Sequence, residues 1–229
     1  MNKKTIRKIL GGFKSYVPGG LSIHGTGGTD SARYCYTIWL RHLSILFKNG
    51  FTKIPNTIAE LGPGDSIGTG LAGLLSGSKK FYALDVIEHT EIKKNISIFD
   101  ELVTLFANRS ALPDDNEFPR AVPRLTSYNF PSQIFADNNL EKFLEKSRTS
   151  SLRNELLDMK KQKNSIQYMC PWYDPKIIEN ASVDVVFSQA VLEHVEDLNN
   201  TYNAMYRWVK KGGCISNQID FESHGLSDE

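Results

Sequence analysis

Glu60, Gly62, Pro63 and Gly64 stand in "AELGPGDSIG", where a short apolar run meets a cluster of glycines. Backbone can approach a ligand closely where Gly62 and Gly64 carry no Cβ, and a helix opening behind them offers free N–H groups. Such a bend makes room for an adenosine-type cofactor. Spacing narrows the choice. A nicotinamide fingerprint would need a small residue where the chain has Ile67, and a triphosphate loop would need a G-K-[ST] that does not follow. Five histidines are the groups that titrate near neutral pH, and His194 in "LEHV" follows an apolar strand pattern. Glu88, His89 and Glu91 are metal-ligand types, yet at these offsets they do not converge on one helix face, so no metal site is expected.

These residues need elements to position them. "NTIAEL" is too short for a helix before its glycines and reads as a strand, "IGTGLAGLLSG" as a helix, and "KKFYALDV" as a second strand ending at Asp85. Strand, glycine turn, helix, strand makes a right-handed βαβ unit. From Glu88 to about Ser165 the strand signals stop. A helix is expected near 97–108, then a proline-bearing loop, then one broken helix or two across "NNLEKFLEKSRTSSLRNELLDMKKQ". "SIQYMC", "VDVVFSQ" and "GCISNQIDF" restore strands. Between the last two, Leu198, Tyr202, Met205 and Val209 mark a helix that Gly212 and Gly213 would stop. Ahead of all this, "SARYCYTIWLRHLSILFKNG" reads as a helix with Asp30 as N-cap, packing one face through Tyr36, Leu40, Leu43 and Phe47. Arg33, Thr37, Arg41, Ser44 and Lys48 fall on another stripe.

The alternation of strands and helices predicts a doubly wound α/β sheet, with ligands beyond the carboxyl ends of its strands. "AELGPGDSIG" resembles the first motif of the class I S-adenosylmethionine-dependent methyltransferases, with Ser66 in place of the family's third glycine. "DVVFSQAVLEHVEDL" resembles the fourth-strand motif of that family, and "RWVKKGGCI" the turn before its fifth strand. The resemblance covers residues 57–87 and about 165–220. It implies a Rossmann-like parallel sheet in the order 3-2-1-4-5 with helices on both faces, a helical insertion at about 88–165, and no counterpart of the last two family strands.

For the site, the resemblance implies S-adenosylmethionine as cofactor. Glu60 would hold its methionine end indirectly, Gly62, Pro63 and Gly64 would form the turn, and Asp85 would accept both ribose hydroxyls, as an acceptor-only carboxylate can. Cys170, Pro171 and Trp172 would border the adenine, where Cys170 replaces an acidic residue. Gln189 and Ala190 would approach the methionine amine or the acceptor. His194 is the leading general base, Glu193 the weaker choice, and His24 and His224 are reserves. "GTGGTDSARYCYTIWLRHL" resembles, more loosely, methyltransferases found with bacterial surface-glycan pathways, in which His24, Asp30, Tyr34 and Arg41 could fold over the cofactor as a lid.

Composition bounds the rest. With 27 Lys plus Arg against 26 Asp plus Glu, the formal charge is +1, so no broad footprint for nucleic acid is present. Cys35, Cys170 and Cys214 form neither a disulfide framework nor a zinc pair and read as reduced thiols of a cytoplasmic protein. The N-terminus has no apolar run long enough for a signal peptide or membrane span, although Lys3, Lys4, Arg7 and Lys8 could touch an anionic membrane surface. The expected organisation is a tail and lid helix over 1–50 and a cofactor-binding domain over 51–229. Its activity would be methyl transfer to a small-molecule or sugar acceptor, at oxygen. A non-catalytic binding module of the same fold is the alternative, kept open by Ser66 and Cys170.

Overall fold

A computed structural model describes residues 28–135, 139–159, 161 and 164–221. Five strands, β1 (Thr57–Leu61), β2 (Lys80–Leu84), β3 (Ile166–Met169), β4 (Val183–Gln189) and β5 (Val209–Gln218), form one sheet in the order β3-β2-β1-β4-β5. Every neighbouring pair is parallel, so the Rossmann-like α/β arrangement expected from the motifs is present. Register brings Leu61 level with Leu84 on one side and Ser188 on the other, which aligns the carboxyl ends of the three central strands.

Alternation along each strand divides the core. Ile58, Phe81, Ala83, Val185 and Phe187 face α1 (Ala32–Lys48), α2 (Gly68–Leu75) and α3 (Ile92–Ala107). Ala59, Leu61, Tyr82, Leu84 and Val186 face the opposite side, where α6 (Leu198–Trp208) lies. The connection from β2 to β3 holds α3, α4 (Asn139–Phe143) and α5 (Lys146–Glu155), so the 25-residue stretch read as one broken helix or two gives two. Among the described residues no helix is long and apolar enough to cross a membrane.

Three local expectations change. Ser31, not Asp30, caps α1, its side chain accepting from the Tyr34 N–H at 3.1 Å. Nor does α1 pack one face only. Thr37 and Arg41, on its second stripe, are fully buried because the 110–123 loop lies over them. Tyr36 Oη donates to Ser110 O at 2.7 Å, Thr37 Oγ1 to Pro113 O at 3.0 Å, and Arg41 Nη1 to Ala121 O at 2.6 Å and Pro123 O at 2.8 Å. Finally, α6 ends at Trp208, and Gly212 and Gly213 lie inside β5. Gly213 is needed there for close approach to β4, since a Cβ would come within 2.6 Å of Asp184 O. The buried face of α6 is Thr201, Ala204, Met205 and Trp208, while Leu198 and Tyr202 are exposed.

Candidate active site

The glycine loop leaves β1 at Leu61. Gly62 and Gly64 both have positive φ, 63° and 73°, a conformation that costs glycine nothing. Gly62 also has no room for a side chain, because a Cβ would lie 2.6 Å from Val191 Cγ2. The turn is thereby fixed against the segment leaving β4.

The rest of the loop is held by residues from elsewhere. Thr29 Oγ1 donates to Pro63 O at 2.8 Å and accepts from Ser66 N at 3.2 Å. Ser66 Oγ donates to Thr29 O and accepts from Gly68 N at 3.2 Å. Asn95 Oδ1 of α3 takes the Ile67 N–H at 3.1 Å. Ser66, the departure from the family pattern, is thus a fully buried tie between the loop and the chain ahead of α1. Composition gave no sign of Thr29 or Asn95 in this role.

Two carboxylates flank the loop. Glu60, on β1, is 2% exposed, and burial pushes its carboxyl up to about 8. The Thr69 hydroxyl and Gly70 N–H, in the first turn of α2, oppose the shift. Glu60 Oε2 has no hydrogen-bond partner among the described residues, and a cationic ligand beside it would draw the carboxyl back to its ionised form. Asp85 follows β2 directly and is nearly buried, its Oδ1 accepting from Val86 N at 2.8 Å. Its own carbonyl accepts from Trp172 N at 3.0 Å, which draws the exit of β3 to the exit of β2. Cys170 is partly buried and Pro171 exposed. The Trp172 ring, read as a possible cover for adenine, packs edge-on against Trp208 with centroids 5.4 Å apart and belongs partly to the second core.

At the end of β4, Gln189 Nε2 donates to Val122 O at 3.3 Å, and Ala190, with φ 53°, turns the chain and donates its N–H to Gln218 O at 3.0 Å. Val191 then meets Gly62. A short 3-10 turn, Leu192–His194, carries an exposed His194, whose N–H donates to Val191 O at 2.9 Å. Glu193 turns toward the exit of β5, its Oε1 accepting from Asp220 N at 3.2 Å.

The remaining sequence candidates divide. His24, His224 and the basic residues Lys3, Lys4, Arg7 and Lys8 lie outside the described residues. Arg41, expected in a lid, is instead committed to loop carbonyls and the Tyr128 ring, 5.1 Å away. Tyr34 packs edge-on against Phe118. Among the described residues no group of three or more His, Cys, Asp or Glu could hold a metal. The buried Cys35 thiol is pushed up to about 12, which makes it inert.

Residues 133–216 match the model of a methyltransferase domain. The matched stretch runs from the middle of the insertion, ahead of α4, into β5, so it includes Cys170 to Trp172, Gln189 and His194 and leaves the glycine loop and Asp85 outside. The match agrees with the enzyme class and cofactor expected from the motifs. A search of curated proteins found no match. Among solved structures, a candidate S-adenosyl-L-methionine-dependent methyltransferase of Methanococcus maripaludis is 13% identical, with a TM-score of 0.38 over 96% of this chain and 67% of that one. Haemonchus contortus phosphoethanolamine N-methyltransferase 2, with S-adenosyl-L-methionine, is 17% identical, with a TM-score of 0.35 over 80% of this chain and 31% of that one. Haemonchus contortus phosphoethanolamine N-methyltransferase 1, with phosphoethanolamine and S-adenosylhomocysteine, is 14% identical, with a TM-score of 0.37 over 94% and 32%. This chain therefore spans about a third of the length of the two nematode enzymes.

Proposed function

We propose that this chain transfers a methyl group from S-adenosylmethionine to an oxygen of a small-molecule or saccharide acceptor. One observation carries the reading: a glycine turn with two positive-φ residues, the buried Glu60 and the backbone-steadied Asp85 meet at the aligned carboxyl ends of β1, β2 and β4. The residues fit the cofactor. Glu60 Oε2 is a buried acceptor with no partner among the described residues, suited to the ammonium of a methionine, and the turn is stripped of Cβ atoms where backbone must come close.

When bound, S-adenosylmethionine supplies a methyl group made electrophilic by its sulfonium charge. In this reading Asp85 accepts the ribose hydroxyls, with Oδ1 oriented by Val86 N–H. Cys170, Pro171 and Trp172 border the adenine, and Gln189 and Ala190 line the methyl end. His194 would take the acceptor's hydroxyl proton, while the methyl carbon would exchange its bond to the sulfonium sulfur for one to the acceptor oxygen, leaving S-adenosylhomocysteine. Proximity and alignment provide much of the rate. The cytoplasm is the proposed location and surface-glycan assembly the proposed setting; the stretch from Gly25 to Leu43 supports the latter.

The test is turnover. Incubation with S-adenosylmethionine and a panel of hydroxylated acceptors should yield S-adenosylhomocysteine, and His194→Ala should lower the rate by about 10²–10⁴-fold with cofactor affinity within a factor of a few. Binding without turnover across the panel would instead support a non-catalytic module. Loss of folding and cofactor binding together would make His194 structural.

A further inference from the structure

We propose that Thr29 is a positioning residue for the cofactor: its hydroxyl bonds both ends of the glycine turn and so fixes which N–H groups of that turn stay open to the methionine end, those of Gly64 and Asp65. The inference rests on the methyltransferase reading above.

Thr29 stands ahead of α1, 34 positions from Pro63, and is 6% exposed. A hydroxyl has one proton to give and lone pairs to receive another. Here Oγ1 donates to Pro63 O at 2.8 Å and accepts from Ser66 N at 3.2 Å, so one atom spans the turn from end to end. The turn needs such a brace. Gly62 and Gly64 sit at positive φ of 63° and 73°, and glycine moves readily between its backbone states. Val191 closes on Gly62, since a Cβ there would lie 2.6 Å from its Cγ2, which leaves Gly64 and Asp65 to depend on Thr29.

Each non-proline residue of the loop brings one N–H that needs a partner. Gly62 N donates to Leu84 O at 2.8 Å, Ser66 N to Thr29 Oγ1, Ile67 N to Asn95 Oδ1 and Gly68 N to Ser66 Oγ. The three donors that open α2 are therefore spent on the side-chain oxygens of Thr29, Asn95 and Ser66, all buried. That closes the helix start to the phosphates such N–H groups hold in nucleotide-binding loops. Among the described residues the N–H groups of Gly64 and Asp65 have no partner, and both residues are partly exposed between the buried Pro63 and Ser66. A carboxylate, an acceptor-only group, suits such a pair, and the methionine end carries one. Without the Thr29 hydroxyl, Pro63 O and Ser66 N lose their bonds, Ser66 becomes a third open donor and the pair loses its fixed spacing. A turn ordered beforehand binds more tightly than a slack one, because the ligand does not have to order it.

The test combines amide hydrogen exchange and calorimetry on the full chain with two probes, S-adenosylhomocysteine and methylthioadenosine, which shares the nucleoside but has no amino-acid group. Binding of S-adenosylhomocysteine by the wild-type protein reports on the methyltransferase reading; the contrast between the probes reports on Thr29. In the free protein Ser66, Ile67 and Gly68 should exchange slowly and Gly64 and Asp65 fast. S-adenosylhomocysteine should slow Gly64 and Asp65, and methylthioadenosine should not. Thr29→Val should quicken Ser66 and weaken S-adenosylhomocysteine by about tenfold, with methylthioadenosine within about a factor of two, and Thr29→Ser, which keeps the hydroxyl, should bind both as the parent does. S-adenosylhomocysteine affinity unchanged in Thr29→Val, or equal losses for both probes, as for a residue that only holds the fold, overturns the proposal. So does slowing of Gly64 and Asp65 by both probes alike in the wild-type protein, a result that needs no variant to fold. A wild-type protein that binds neither probe removes the methyltransferase reading and this proposal with it.

Discussion

Glu60 is the residue whose environment departs furthest from what its position in the sequence suggests. It sits on the central strand, and its carboxyl is pushed up to about 8 by burial. In the unfolded chain the group titrates near 4.5, so between these values the folded state holds a proton that the unfolded state has lost. Stability from this group is therefore greatest below about pH 4.5, falls as pH rises toward 8, and is level above. Glu60→Gln should remove that slope and make the protein more stable than the parent at pH 8, as read by urea midpoints across the range. An unchanged slope would mean that Glu60 is ionised in the fold. His42 acts at the acid end: with its folded value near 4 and a usual value of 6.5, it destabilises as pH falls from 6.5 to 4. The two groups overlap between about pH 4.5 and 6.5 with opposite sign, so there the single variant, rather than the overall profile, identifies each.

At the scale of elements, the glycine loop is governed by residues it does not contain. Its turn was legible in the sequence because the glycines, the short apolar strand and Asp85 are local signals with fixed spacing. The clasp was not, because Thr29 and Asn95 come from elements separated from Ser66 by 37 and 29 positions, and nothing in their types marks them. The same holds for His42, which falls in neither of the two stripes read along α1. Ser66 gave the opposite difficulty: read as a departure from a family pattern, it is a built-in tie. Restoring the family residue with Ser66→Gly should thus destabilise the fold, by about 1–3 kcal/mol for buried groups left unpaired at Thr29 O and Gly68 N. Chemical denaturation measures this, and a neutral or stabilising outcome would show that the clasp contributes nothing.

Across the whole molecule, the sheet was predictable in order and direction because its strands are short apolar runs separated by helices, and parallel pairing then leaves few topologies. How the insertion closes on the rest was not predictable. Its 110–123 loop gains its place from Arg41, an arginine that sequence reasoning placed on a polar stripe and the fold buries completely. Arg41→Ala should destabilise by about 1–3 kcal/mol for each buried carbonyl, Ala121 O and Pro123 O, left without its donor. Hydrogen exchange should quicken at Leu112, whose N–H bonds Tyr128 O, with the sheet protected as before. Equal exchange in both proteins would separate the loop from Arg41. β5 is an edge among the described residues, guarded by Lys210, which pairs with Asp184, and by the exposed Lys211.

The account depends most on the claim that the carboxyl ends of β1 and β2 hold S-adenosylmethionine. Calorimetric titration of the full chain and of Asp85→Ala with that molecule tests it most directly. The wild-type protein should bind at one site, and the variant, still folded, should bind more weakly by about 1.5–3 kcal/mol, the worth of hydrogen bonds to a charged group. No binding by the wild-type protein, or equal affinity in the folded variant, would contradict it.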